Sequence, residues 1–175
     1  CTEVPCTIVA VGDLNGDEIS DLMVVKNSTS MHIFTGHRDK YFIMGNGTTI
    51  PEYNELNGDE MQLSDIDGRN GLDVVSKING LIYTFLNNGD GTFVEVEQKH
   101  LISKKDCQFS LGHMNDDDHV DFIQAYPNGG STDIEVLIND GEGTFNAANT
   151  SNVDINRITR MEAIHLDSNE VFGLC

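Results

Sequence analysis

Three stretches of this chain repeat nearly the same pattern, and a fourth follows it partway. They are VAVGDLNGDEISDLMVV (9–25), QLSDIDGRNGLDVV (62–75), FSLGHMNDDDHVDFIQA (109–125) and EAIHLDSNEVFGL (162–174). Aligned on their first polar position they start at Asp13, Asp65, His113 and His165, separated by 52, 48 and 52 residues. A period of this size is the mark of a repeat array, in which each unit is one supersecondary motif that buries its apolar face against the next. The units run approximately over 7–58, 59–105, 106–158 and, in part, 159–175, within one domain of 175 residues.

Within a unit the alternation of apolar and polar residues predicts strands and no helix. In the second unit, strands are expected at 60–64, 73–78, 81–86 and 93–96. Asn79-Gly80 forms a two-residue hairpin, and Asn87-Asn88-Gly89-Asp90-Gly91 turns the chain into the last strand. The third unit repeats the plan with strands at 107–112, 121–126 and 134–139, an inserted hairpin at 127–133, and a second copy of the turn at 139–145. In the first unit, 35–41 stands at that place with much of the turn chemistry lost. Tyr41, Phe93 and Phe145 follow the three turns and are expected in the core. Four strands in roughly 45 to 50 residues is the size of one propeller blade.

Each unit places side-chain oxygens at alternate positions of a tight polar loop. A hard cation such as calcium takes six to eight oxygens, and positions 1, 3, 5 and 9 of a nine-residue loop can converge while position 7 offers its carbonyl. The first loop supplies Asp13, Asn15, Asp17 and Asp21, with the Ile19 carbonyl at position 7 and Gly16 at the bend. The second supplies Asp65, Asp67 and Asp73. Its position 5 is Arg69, whose guanidinium either repels a cation or neutralises the acids in its place. The third supplies His113, Asn115, Asp117 and Asp121, with an imidazole, a poor calcium ligand, at position 1. The fourth, His165 to Gly173, lacks the closing carboxylate and is read as structural. Ca2+ is the expected cofactor.

Against 29 acidic residues stand 10 lysines and arginines, a formal net charge of −19. With no basic patch, nucleic acid is excluded as a partner, as is an anionic membrane surface. No apolar run is long enough to insert in a bilayer. Four cysteines (Cys1, Cys6, Cys107, Cys175), none in a Cys-x-x-Cys pair, suit disulfides in an oxidising compartment. Sequons at Asn27, Asn46 and Asn149, each expected in a turn, agree with a secreted or extracellular chain. His37-Arg38-Asp39 and the pair His113/His119 lack the companions that kinase or zinc chemistry requires. No nucleophile, base and oxyanion site is visible, so the chain is not expected to be an enzyme.

The alternation of two motifs, Asp-Leu-Asn-Gly-Asp-x-x-x-Asp-Leu at 13–22 and Leu-Asn-Asn-Gly-Asp-Gly-Thr-Phe at 86–93, resembles the FG-GAP/VCBS repeats of integrin α-subunit heads and of many secreted proteins. The resemblance covers about 7–174. It implies an all-β, β-propeller-like array of four-stranded blades, about three with part of a fourth, with calcium between the first and second strands of a blade. It also implies a secreted adhesion module with a macromolecular partner, protein or glycan, recognised by variable turns such as 46–57 and 127–133. A glycan-binding lectin is the alternative, although the chain has no tryptophan for stacking on sugars; an accessory part of a larger extracellular enzyme is another. Propellers close with four or more blades. This chain is therefore expected to be part of a longer one or to self-associate as a homo-oligomer.

Overall fold

A computed structural model describes residues 6–26, 30–39, 41–49, 60–102, 107–155 and 158. Among these there is no α-helix; the described chain is built of antiparallel strands. Strands β1 (Cys6–Gly12), β2 (Asp21–Lys26), β3 (Ser30–Gly36) and β4 (Phe42–Thr49) pair in chain order as the first sheet. The second sheet is β5 (Met61–Ser64), β6 (Asp73–Ile78), β7 (Leu81–Asn87) and β8 (Phe93–Glu95), with β9 (His100–Leu101) added against β7. The third is β10 (Gln108–Gly112), β11 (Asp121–Asn128), β12 (Ser131–Asn139) and β13 (Phe145–Val153). The cation-type loops each join the first strand of a sheet to the second.

The sheets pack face to face, because alternate residues of each strand point to opposite sides. Met23, Val25, Met31 and Ile33 of the first sheet meet Val74, Ile78, Tyr83, Phe85 and Phe93 of the second in one apolar core. The other face of the second sheet, with Val75 and Ile82, meets Phe109, Phe122, Leu137 and Phe145 of the third. That sandwiching explains why all six residues of β6 are buried. Each fully buried side chain of this size contributes about 1.5 to 3 kcal/mol by leaving water. The outer face of the third sheet carries Ile123, Ala125 and Ile134, packed with Met114 and Ile158.

First strands also neighbour one another, with β5 lying between β1 and β10. Gln62 of β5 fastens this seam: its Nε2 donates to the Phe109 carbonyl at 2.9 Å, and its Oε1 accepts from Leu111 N at 3.1 Å. Lys77 lies buried between the second and third sheets. Its ammonium donates to the Cys107 carbonyl at 2.8 Å and pairs with Glu60 at 3.1 Å.

Several sequence expectations need correction. The longer hairpin expected at 127–133 is present and is itself strand, with β11 and β12 paired through Asn128↔Ser131. Tyr41 is 48% exposed; the residue opposite the turn is Phe42, paired with Gly36 as Phe93 is with Asn87 and Phe145 with Asn139. Cys107 carries a free thiol, held in the core against Lys77; burial raises its pKa, with the Lys77 charge acting the other way. Cys1 and Cys175 lie outside the described residues. The sequons at 46 and 149 fall in strands β4 and β13, not in turns, since these are the outer strands of their sheets. The sequon at 27 and the fourth unit from 159 onward lie outside the described residues.

Candidate functional site

Loops 13–21, 65–73 and 113–121 share one end of the sheets with the turns at 37–41, 88–92 and 140–144. Their closing aspartates have a common task. Asp21, Asp73 and Asp121 are fully buried. One oxygen of each accepts the backbone N–H of loop position 2: Leu14 at 2.9 Å, Ile66 at 2.7 Å and Met114 at 2.8 Å. The other accepts the N–H of the last residue of the third strand: Gly36 at 2.8 Å, Asn87 at 2.8 Å and Asn139 at 3.0 Å. Each carboxylate therefore pins the loop to the sheet and satisfies two buried donors that would otherwise cost about 1 to 3 kcal/mol each.

Asn87 and Asn139 extend the fastening to the neighbouring sheet. Asn87 Nδ2 donates to the Leu14 carbonyl of the preceding loop at 2.9 Å and to Leu72 O at 3.1 Å, while its Oδ1 accepts from Gly89 N at 2.8 Å. Asn139 repeats the set with Ile66 O at 2.8 Å, Val120 O at 3.1 Å and Gly141 N at 3.0 Å. The Asn-x-Gly turn motif is thus an inter-sheet stitch. Sequence reasoning assigned these residues only to turn-making; their recurrence at equivalent places was the available signal.

The loops divide into two conformations. In the first two, positions 4 and 6 adopt left-handed backbone: Gly16 (φ 78) and Glu18 (φ 64), Gly68 (φ 72) and Asn70 (φ 59). This turns amides toward position 1, so Asp13 accepts from Gly16 N at 2.7 Å and Glu18 N at 2.8 Å, and Asp65 from Gly68 N at 2.8 Å. Burial pulls the Asp13 pKa upward, but these backbone donors outweigh it and hold the carboxyl below its ordinary range. In the third loop no residue has positive φ, and position 1 is His113, whose Nδ1 lies 3.1 Å from the position-7 carbonyl, His119 O. The imidazole engages the carbonyl that a cation in this loop would use.

Among the described residues, one group of three carboxylates offers oxygens all within 4.8 Å of one another: Asp65, Asp67 and Asp73 of the second loop. Arg69 does not lie over them. Its guanidinium reaches to the third sheet's turn and forms a two-pronged pair with Glu142, at 2.8 and 3.2 Å, staying 4.0 Å from the nearest Asp67 oxygen. Burial, the largest influence, together with the Asp67 charge pushes the Asp73 pKa up to about 6, against the backbone donors of Asn87, Ile66 and Asp67 that lower it. Three carboxylates around a small space fit a hard cation, which would relieve their repulsion. In the first loop, Asn15 and Asp17 are turned instead onto each other and onto Asp17 N and Ile19 N.

No protein-family model and no curated protein matches the chain. Among solved structures, it is similar to one described as showing specific recognition of non-reducing terminal N-acetylglucosamine by an Agrocybe aegerita lectin. The TM-score is 0.53 at 20% identity, over 85% of this chain and 37% of the lectin chain. The likeness is one of fold, and this chain spans well under half of that protein's length.

Proposed function

We propose that this chain is a carbohydrate-binding β-repeat module. The observation that carries the reading is the likeness of its three-sheet array to the fold of an N-acetylglucosamine-recognising lectin. Sugar recognition needs an aromatic surface beside hydrogen-bonding groups, since a pyranose offers an apolar face and a rim of hydroxyls. Tyr41 supplies such a surface at the loop end: it is 48% exposed and stacked on His37 at 4.7 Å between ring centroids, next to the exposed carboxylate of Asp39. Titration with a saccharide ending in non-reducing N-acetylglucosamine is expected to shift the heat signal or the tyrosine fluorescence, and Tyr41→Ala is expected to weaken binding. A native chain that binds no glycan on an array spanning the common terminal sugars would end this reading.

A structural calcium ion is a second element, favoured by the convergence of Asp65, Asp67 and Asp73. These three would hold it, and when bound it would neutralise repelling carboxylates and stiffen the loop. With the FG-GAP/VCBS resemblance of the motifs, this supports blade-like units in an extracellular protein. Arg69 then acts as a tether between the second and third sheets and not as a metal substitute. As an exposed pair with Glu142, screened by solvent, it adds little to stability.

A further inference from the structure

The three sheets differ in how their outer edges are protected. First strands neighbour one another through β5, so β4, β8 and β13 are the outer strands among the described residues. An outer strand offers a row of unpaired backbone groups to any strand that approaches, and proteins blunt it by shortening, charging, bulging or covering it. The second sheet uses the first two devices: β8 is three residues long and carries Glu95, paired with Lys99 at 2.6 Å. β4 and β13 use neither. They are 8 and 9 residues long, Phe-Ile-Met-Gly-Asn-Gly-Thr-Thr and Phe-Asn-Ala-Ala-Asn-Thr-Ser-Asn-Val, without a charge or a proline. Residues 146–152 of β13 are all exposed.

These two strands, and not β8, carry the Asn-x-Ser/Thr pattern, as Asn46-Gly47-Thr48 and Asn149-Thr150-Ser151. Each asparagine lies at a bulge. In β4, residues 45 and 46 fall between the pairs Phe34↔Met44 and His32↔Gly47, where β3 has Ile33 alone. In β13, Leu137↔Ala147 is followed by Val136↔Asn149, with Ala148 extra. A bulge bends the strand and re-aims the side chain beside it. Asn149 and Ser151 pair with Val136 and Ile134, so the acceptor amide and the hydroxyl two residues on stand on one face. Both residues are exposed, and the Asn149 side chain makes no hydrogen bond among the described residues. Asn152 of the same strand is engaged, its Nδ2 donating to Ser131 Oγ at 2.8 Å. The Asn149 amide can therefore carry a substituent into solvent without breaking a contact.

We propose that Asn46 and Asn149 are N-glycosylated, and that the sugars cover the outer edges of the first and third sheets. Such modification rests on the extracellular setting in the proposed function and is independent of its sugar-binding reading. The donor is an oligosaccharide carried on a lipid pyrophosphate. The side-chain amide nitrogen bonds the anomeric carbon and loses a proton; the bond from that carbon to the pyrophosphate oxygen breaks, and the lipid pyrophosphate leaves. The product amide stays neutral, so the edge gains hydrated bulk without adding to a net charge of −19.

The chain, secreted from eukaryotic cells behind a cleavable leader, is treated with peptide N-glycosidase in heavy-oxygen water, which turns each glycosylated asparagine into labelled aspartate. Label is expected at positions 46 and 149. Ser151→Ala loses it at 149 alone, whereas Thr150→Ala, which keeps the Asn-x-Ser pattern, retains it. Asn46→Gln with Asn149→Gln removes both sugars, and this chain is expected to be lost to aggregates on concentration while the native chain stays in solution. Asn46→Lys with Asn149→Lys also lacks the sugars but charges each edge, and it is expected to stay in solution. Circular dichroism checks that each variant folds. Failure of the chain to bind any glycan leaves these labels and solubilities as they are, and unlabelled asparagines leave the lectin reading as it was. An unlabelled Asn46 or Asn149 in the chain recovered from medium or cells overturns the inference. So does a glutamine variant as soluble as the native chain, or a lysine variant that aggregates as the glutamine one does.

Discussion

Asn139→Ala is the substitution that most directly tests how the sheets are held together. The Asn139 side chain, 2% exposed, makes three hydrogen bonds: two donated to the Ile66 and Val120 carbonyls and one accepted from Gly141 N. Alanine removes all three and leaves three backbone groups with one partner fewer in a site water reaches poorly. At about 1 kcal/mol net for each bond, the expected loss is about 3 kcal/mol. With a urea dependence of about 2 kcal/mol per molar, the unfolding midpoint falls by about 1.5 M. Asn88→Ala is the matched control on the equivalent turn of the second sheet, because Asn88 is exposed and its side chain donates to Thr92 Oγ1 at 3.0 Å, the backbone bond from Asn88 N to Thr92 O being kept by alanine; its cost stays within about 0.5 kcal/mol. Asn139→Asp is expected to be worse than alanine, since a carboxylate would face two carbonyl oxygens and could donate to neither. If Asn139→Ala unfolds within about 0.5 kcal/mol of the Asn88→Ala control, the stitch does not hold the array and the reasoning is refuted.

Calcium at about 1 mM, the affinity range of extracellular sites, is expected to raise the melting temperature over that in chelator, and Asp65→Ala to remove most of the gain; an identical melt with and without calcium refutes the cation site. In chelator, Asp73 has a folded pKa of about 6 against an ordinary 3.8, so the folded state holds its proton more tightly than the unfolded state does. The associated stability is fully present below about pH 4 and is lost as the pH rises through 6, by about 3 kcal/mol. Urea unfolding from pH 4 to 7 should show this fall against Asp73→Asn, and parallel pH profiles for the two proteins would exclude it.

Much of the fold was legible because the strands follow period-2 alternation and the turns carry Asn-Gly and Asp-Gly chemistry. The predicted strand at 73–78 and the hairpin at Asn79-Gly80 are where the structure has them. β9 was missed: two residues, His100 and Leu101, carry no periodicity, and only their pairing with β7 makes them a strand. At the site, spacing identified which residues share a loop but not where their oxygens point. The first loop, richest in matching residues, does not draw three carboxylates together, whereas the second, with an arginine in it, does. Arg69 misled because its real partner, Glu142, is 73 residues away and belongs to the next sheet. The difference of the third loop lies in its backbone: without glycine at position 4, it does not take the left-handed turn that gathers amides at position 1.

The residues that make this motif recognisable are, by the geometry, its fasteners. The closing aspartate recurs in all three described loops with the same two backbone donors, including the loop where histidine replaces the first acid. A fully buried carboxylate satisfying two donors is required for the sheet and loop to pack, whether or not a cation is near. Recurrence of the motif is therefore explained by folding alone, and cation binding has to be read from positions 1, 3 and 5, which vary. It follows that removing Asp21, Asp73 or Asp121 cannot distinguish a lost ligand from a lost staple, since either would destabilise the chain. Asp65 and Asp67 can: their hydrogen bonds among the described residues go to the loop's own amides, Gly68 N and Arg69 N, with the Arg69 guanidinium 4.0 Å from Asp67. A calcium-dependent effect of replacing them, set against a small effect in chelator, isolates the ion from the fold.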